Sequence, residues 1–183
     1  VASGTFDHES VLQDATRYGN ESGAYNFACQ AAEVEVDPET GKVTVLEYVV
    51  AADCGTVIFR QGAEGQVEGA IAQGLGYTLT EGLLLDNGRP VNPNFSDYRI
   101  PTAADMPPLK REFADSYEPT GPFGAKGLGE LPMDPFAAVI GNAIFDACGV
   151  RIKTLPITAE KVFWALREKE RREAEGGGAP PAG

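Results

Sequence analysis

From Phe27 onward the chain alternates between apolar and polar positions. Ala32, Val34 and Val36 are separated by Glu33 and Glu35, and after Asp37-Pro38-Glu39-Thr40-Gly41 an apolar-rich run resumes from Val43 to Val50. A period of two on either side of turn residues predicts a β-hairpin. Its second strand is expected to end at Ala51-Ala52-Asp53-Cys54-Gly55, where small residues and a glycine interrupt the ladder. Between Gly62 and Thr80 the period changes. Val67, Ile71, Leu75 and Leu79 recur every four residues and predict a helix with an apolar stripe. A second stripe, Gly62, Gly65, Gly69, Ala72 and Gly76, has almost no side chains and is flanked by Gln66 and Gln73. A glycine inside a helix costs about 1 kcal/mol relative to alanine. The bare stripe therefore predicts something lying against the backbone, either a close helix or sheet crossing or a buried polar ligand.

Further along, a short strand is expected at Gly82 to Leu85, then an Asp86-Asn87-Gly88 turn and a Pro-rich connector from Pro90 to Pro108. Leu109 to Asp115 predicts another strand. A helix opens at Asp134-Pro135, with Asp134 as its cap, and runs to Cys148, where Gly149 ends it. The last helix is capped by Thr158, turns Val162, Phe163 and Leu166 inward, and finishes in a charged run from Arg167 to Glu175. Residues 1–26 show no sustained period and predict an irregular segment, residues 27–168 carry the folded portion, and residues 169–183 a charged helix end and a disordered tail. Strands mixed with separated helices, without repeat or linker, point to an α+β fold with a mixed sheet and packed helices.

Composition narrows the function more than the fold. A chain of 183 residues, 43% hydrophobic, fits one ordinary domain or two small ones. Its formal net charge of -12 would repel phosphate backbones and anionic surfaces, which excludes nucleic acid as an expected partner. No apolar run approaches the roughly 20 residues that span a bilayer, so no membrane insertion is expected. Cys29, Cys54 and Cys148 are far apart and form no C-x-x-C pair, which argues against a disulfide framework and against an iron–sulfur or zinc site held by this chain alone. Buried cysteines in a reducing, cytoplasmic compartment are expected. His8, the sole histidine, is expected in a solvated loop, which leaves a histidine triad or zinc site without its usual ingredient. The opening Val1-Ala2-Ser3-Gly4 has neither Met nor signal-like sequence and reads as a chain already under way.

The densest candidate chemistry lies in Gly121-Pro-Phe-Gly-Ala-Lys-Gly-Leu-Gly-Glu130. A phosphate-binding P-loop requires a hydroxyl after its lysine, and Lys126 is followed by Gly127; the dinucleotide fingerprint fails too, because Gly127-Leu128-Gly129 is followed by Glu130-Leu131-Pro132. What remains is a side-chain-poor segment that lets main-chain N–H groups approach a bulky or charged group and delivers Glu130 as a base. The plainer alternative is an acid near a helix N-terminus, which leaves Gly121, Gly124, Gly127 and Gly129 unexplained. A glycosidase-like pair of Glu130 with Asp134 is weaker, because Asp134 is already accounted for as a cap.

The stretches AEVEVDPETGKVTVLEYVVAADCG, EGQVEGAIAQGLGYTLTEGLL, NPNFSDYRIPTAADMP and GPFGAKGLGE, in this order, resemble the C-terminal part of the molybdenum-binding subunit of the xanthine dehydrogenase family. That family includes aldehyde oxidoreductases, nicotinate dehydrogenase and 4-hydroxybenzoyl-CoA reductase. The resemblance implies a molybdenum–molybdopterin cofactor, including its cytosine dinucleotide form, with 2Fe-2S clusters and FAD on partner chains. It also implies Glu130 as general base and Gln73, Gly74, Gly127, Leu128 and Gly129 as cofactor contacts, with no metal ligand from this chain. The implied reaction hydroxylates or oxidises an electrophilic carbon of an N-heteroaromatic or aldehyde with oxygen from water. The alternatives are a reductive enzyme like 4-hydroxybenzoyl-CoA reductase, or a non-catalytic assembly subunit. The family subunit is several times longer, so the rest of the site is expected on another chain, in a hetero-oligomer with iron–sulfur and flavin subunits. Two positions depart from the family pattern: Phe59-Arg60 stand where Asn-Pro is usual, and Ala52 where histidine is frequent.

Overall fold

The computed structural model describes residues 2–5, 15–16, 19 and 21–176. The expectations for His8 and for the tail at 177–183 lie outside these residues. Strands β1 (Phe27–Val36) and β2 (Val43–Asp53) form the predicted antiparallel hairpin, and β2 also pairs in parallel with β5 (Leu109–Phe113), giving a sheet of order β1-β2-β5. Helix α1 (Arg60–Leu79) makes the crossover between the two parallel strands, because a parallel connection must return the chain to the sheet's starting end. Between them β3 (Leu85–Asp86) and β4 (Arg89–Pro90) pair as a small hairpin about Asn87 and Gly88, both at positive φ. The strand expected at Gly82–Leu85 is thus only a two-residue ladder, displaced toward the turn that nucleates it.

The hairpin is not continuous. Glu33 pairs with Glu47 but Val34 with Val45, leaving Leu46 as an extra residue on β2. An extra residue reverses the facing of everything beyond it. Val43 and Val45 therefore face the core before the bulge and Tyr48, Val50 and Ala52 after it. These last three are fully buried with Val67 and Ile71 of α1 and with Phe136, Ile140 and Ile144 of α2 (Phe136–Cys148). The Phe136 ring stacks on Tyr48 at 4.6 Å. The opposite sheet face, with Phe27, Cys29, Ala31 and Ala51, is exposed, so the expectation of buried cysteines fails for Cys29: its position in β1 has the parity of the outer face.

Asp134 does not cap α2. Pro135 occupies that position, and a preceding turn satisfies the first amide, Phe136 N donating to Met133 O at 3.1 Å. Gly149 closes the helix in the left-handed conformation, as expected. Thr158 caps α3 (Ala159–Ala174), its hydroxyl accepting from Lys161 N, and the charged run continues this helix outward from buried Val162 and Leu166.

Candidate functional site

The parallel strands β2 and β5 end side by side, and α1 begins beside them, which leaves a crevice at their carboxyl ends. The glycine loop closes one side of it. Thr56 N donates to Gly124 O and Lys126 N to Cys54 O, both at 2.8 Å, and Gly55 bridges Ala125. This approach needs glycine on both sides. A Cβ on Gly55, at φ +64, would lie 2.2 Å from Gly124 O, and one on Gly124, at φ +79, would lie 2.2 Å from the Tyr117 ring.

The loop is also tied electrostatically. Lys126 Nζ meets Asp53 Oδ2 in a nearly dry ion pair, with side chains 7% and 16% exposed, and donates to Tyr25 O at 2.9 Å. Ser116 Oγ and Gly55 N donate to the other oxygen of Asp53. The Lys126 hydrogen bond, followed by that of Ser116, holds the Asp53 carboxyl down to about 2. Burial pushes the neighbouring Cys54 thiol up, and the Asp53 charge adds to it.

The resulting cleft has a volume of about 380 Å³ and is lined by Cys54, Thr56, Phe59, Gln66, Lys126 and Gly129 among others. Of the predicted cofactor contacts, Leu128 and Gly129 line it. Glu130 follows directly, exposed, and among the described residues nothing hydrogen-bonds or ion-pairs with its carboxylate. Gln73 is exposed two helical turns, roughly 10 Å, beyond the cleft-lining Gln66. Gly127 is exposed and its carbonyl accepts from Asn26 Nδ2. Gly74 faces the other way: it is buried, and a Cβ there would lie 2.6 Å from Phe136 Cγ.

The bare stripe on α1 divides in two. A Cβ on Gly62 would strike the Phe59 ring and one on Gly76 the Glu81 carboxylate, so these glycines serve the chain's own packing. Gly65 and Gly69 have nothing within 4 Å of such a Cβ; Gly129 also has open space, but its φ of +38 calls for glycine, whereas Gly65 and Gly69 have no such backbone reason. Their lack of a side chain serves nothing within the described residues, and the helix forgoes stability for it. Phe59, one of the residues that depart from the family pattern, covers Gly62 and lines the cleft, while Arg60 pairs with Glu64. Sequence reasoning passed over Asp53, Ser116 and the ion-pairing of Lys126. Lys126 stood inside the singled-out loop, but its partner lies 73 positions away.

Among the described residues no three His, Cys, Asp or Glu side chains gather as a metal-ligand group. No helix among them is long and apolar enough to cross a membrane.

Residues 1–107 match the family model of the molybdopterin cofactor-binding domain, which also takes in the segment before β1. The putative xanthine dehydrogenase molybdenum-binding subunit XdhA of Escherichia coli is 39% identical over 139 residues, 75% of this chain and 18% of that protein. The 6-hydroxypseudooxynicotine dehydrogenase complex subunit gamma of Paenarthrobacter nicotinovorans is 36% identical over 161 residues, 86% of this chain and 20% of that protein. In structure, the aldehyde oxidoreductase of Desulfovibrio gigas superposes with a TM-score of 0.80 at 36% identity, over 86% of this chain and 17% of that one. Quinoline 2-oxidoreductase of Pseudomonas putida gives 0.72 at 38% identity, over 76% and 18%. The chain thus spans about a fifth of the relatives it matches. With the fold, the glycine loop and these matches in agreement, the chain belongs to the molybdopterin cofactor-binding domain family, in the part found within the molybdenum subunits of xanthine dehydrogenase-type oxidoreductases.

Proposed function

We propose that the chain forms one wall of a molybdenum hydroxylase site and supplies its general base, Glu130. The observation that carries this reading is the pair Gly65 and Gly69, which no packing within the described residues requires, on the helix whose Gly62, Ala63 and Gln66 line the cleft together with Leu128 and Gly129, next to the carboxylate of Glu130. These residues fit a pterin: bare backbone for a flat ring system, and the amides of Gln66 and Gln73 on its edge, each offering donors and an acceptor. Gln73 and the main chain of Gly127, Leu128 and Gly129 would hold the group, while Gly74 supports the same helix from behind by seating it on Phe136. When bound, a molybdenum–pterin cofactor supplies the two-electron redox chemistry that no side chain here can provide.

The protein's own part is positioning and proton transfer. Glu130 accepts a proton from the water-derived nucleophile as it attacks the electrophilic carbon. Val57, Ile58 and Phe59 line that side of the cleft with apolar but largely exposed surface, which a partner chain would have to cover to exclude water and strengthen the charge interactions inside. N-heteroaromatics and aldehydes are the proposed substrate class, supported by relatives named for xanthine, quinoline and aldehyde oxidation. The rest of the molybdenum subunit, an iron–sulfur chain and a flavin chain are the proposed partners, in keeping with relatives named as subunits and with the fraction of their length present here.

The test is Glu130→Gln in the assembled enzyme, with metal content and reductive half-reaction measured on one sample. Loading stays normal and turnover falls at least ~100-fold, the scale of general-base catalysis. A fully loaded variant reducing at the wild-type rate refutes the assignment.

A further inference from the structure

Gln30 is a polar residue where the pattern asks for an apolar one. Its neighbours on the inward face of β1 are Ala28, Ala32, Val34 and Val36. Local rules are broken most often where function requires it. The Gln30 amide is engaged at both ends: Oε1 accepts from the Tyr48 hydroxyl at 2.6 Å, and Nε2 donates to the carbonyl of Pro132 at 2.8 Å. A carbonyl only accepts, so this second bond demands an N–H donor and fixes the orientation of the amide. Tyr48 is fully buried against Phe136, which anchors the other end of the bridge in the core.

Pro132 is itself fully buried and lies two residues beyond Glu130. On the near side of Glu130 the loop is held at Lys126 by Asp53 and at the Gly127 carbonyl by Asn26. Only Leu128, Gly129, Glu130 and Leu131 stand between the two fixed points, and both leucines pack against the core. Among the described residues nothing bonds to the Glu130 carboxylate, so its position is inherited from these ends.

We infer that Gln30 is a positioning residue for Glu130, clamping the far end of the glycine loop through the Pro132 carbonyl. The inference rests on Glu130 being the base. Geometry is the reason for such a clamp: a displacement on the order of 1 Å at a reacting group costs ~100-fold in rate.

The test uses the assembled, metal-loaded complex and three variants. Gln30→Leu removes both bonds, Gln30→Glu keeps the shape but loses the donor to Pro132 at neutral pH, and Tyr48→Phe removes only the anchoring hydroxyl. Amide hydrogen exchange is followed in the peptide spanning residues 127–133, where Leu131 N and Met133 N are bonded within the turn. Gln30→Leu and Gln30→Glu are expected to speed exchange there about tenfold and to lower kcat about tenfold or more at unchanged KM and molybdenum content. Tyr48→Phe, which weakens the anchor but leaves the Pro132 bond in place, is expected to have a clearly smaller effect than Gln30→Leu in both. Unchanged exchange in the Gln30 variants overturns the clamp, as does faster exchange at wild-type kcat, or a Tyr48→Phe effect as large as that of Gln30→Leu, which would mark general core damage. Glu130→Gln is run in parallel. Wild-type turnover in that variant removes the base assignment whatever Gln30 does, while the exchange measurement still reports on the clamp.

Discussion

Replacing Gly65 and Gly69 together with alanine separates what the fold needs from what a bound group needs. Both glycines are interior to α1, both are exposed, and a Cβ at either meets nothing within 4 Å. Alanine in a helix interior is worth about 0.5–1 kcal/mol over glycine at each position, so the pair gains about 1–2 kcal/mol. At this chain length 1 kcal/mol moves Tm by about 2–4 °C, which places cofactor-free double-variant protein about 2–8 °C above wild type. Gly74→Ala is the internal control. Its Cβ would sit 2.6 Å from Phe136 Cγ, and Phe136 is fully buried and stacked on Tyr48, so it has nowhere to move. Overpacking of this kind costs about 1–3 kcal/mol, which exceeds the helix-propensity gain and lowers Tm. Thermal unfolding by circular dichroism reads all three proteins, and molybdenum and pterin content of the assembled complex reads the function. The double variant is expected to be more stable and yet poorly loaded. Normal loading with normal turnover would show that the open glycines face only solvent; a lower Tm would show that the chain itself uses them.

Gln73→Ala is expected to retain the fold and to weaken cofactor retention on the order of tenfold, the scale of one lost buried polar contact; unchanged pterin content and rate would return that helix face to solvent. The Asp53–Lys126 pair makes stability acid-sensitive. The Asp53 pKa is lowered from 3.8 to about 2, so its contribution is fully present above the unfolded value and is lost as pH falls through about 2. That contribution is roughly 2 kcal/mol before solvent screening reduces it. Asp53→Asn should therefore be less stable than wild type at pH 7, with the gap closing toward pH 2, and a gap independent of pH in denaturant titrations would rule the pair out as its source. Phe27, Ile58, Phe59 and Phe123 are 68%, 64%, 66% and 83% exposed, and native mass measurement on material from the source is expected to find the chain in a larger complex. A stable, cooperatively melting lone monomer would refute this.

The hairpin and the apolar stripe of α1 were legible along the chain because each depends on residues within a few positions of one another. Alternation of Ala32, Val34 and Val36 marks a strand wherever it lies, and Val67, Ile71 and Leu75 mark a helix face. The bulge at Leu46 was not legible, since Thr44-Val45-Leu46-Glu47 fits either facing and only pairing with β1 selects the register. The roles of the glycines were likewise hidden. Spacing placed Gly62, Gly65, Gly69 and Gly76 on one stripe, but whether each is covered depends on where Phe59 and Glu81 approach. The ties that hold the glycine loop join residues far apart in sequence, 73 positions from Asp53 to Lys126 and 102 from Gln30 to Pro132. A local pattern states what a side chain can do; the packing of distant segments decided which partner each one found, because hydrogen bonds and ion pairs act over a few ångströms of space and not along the chain.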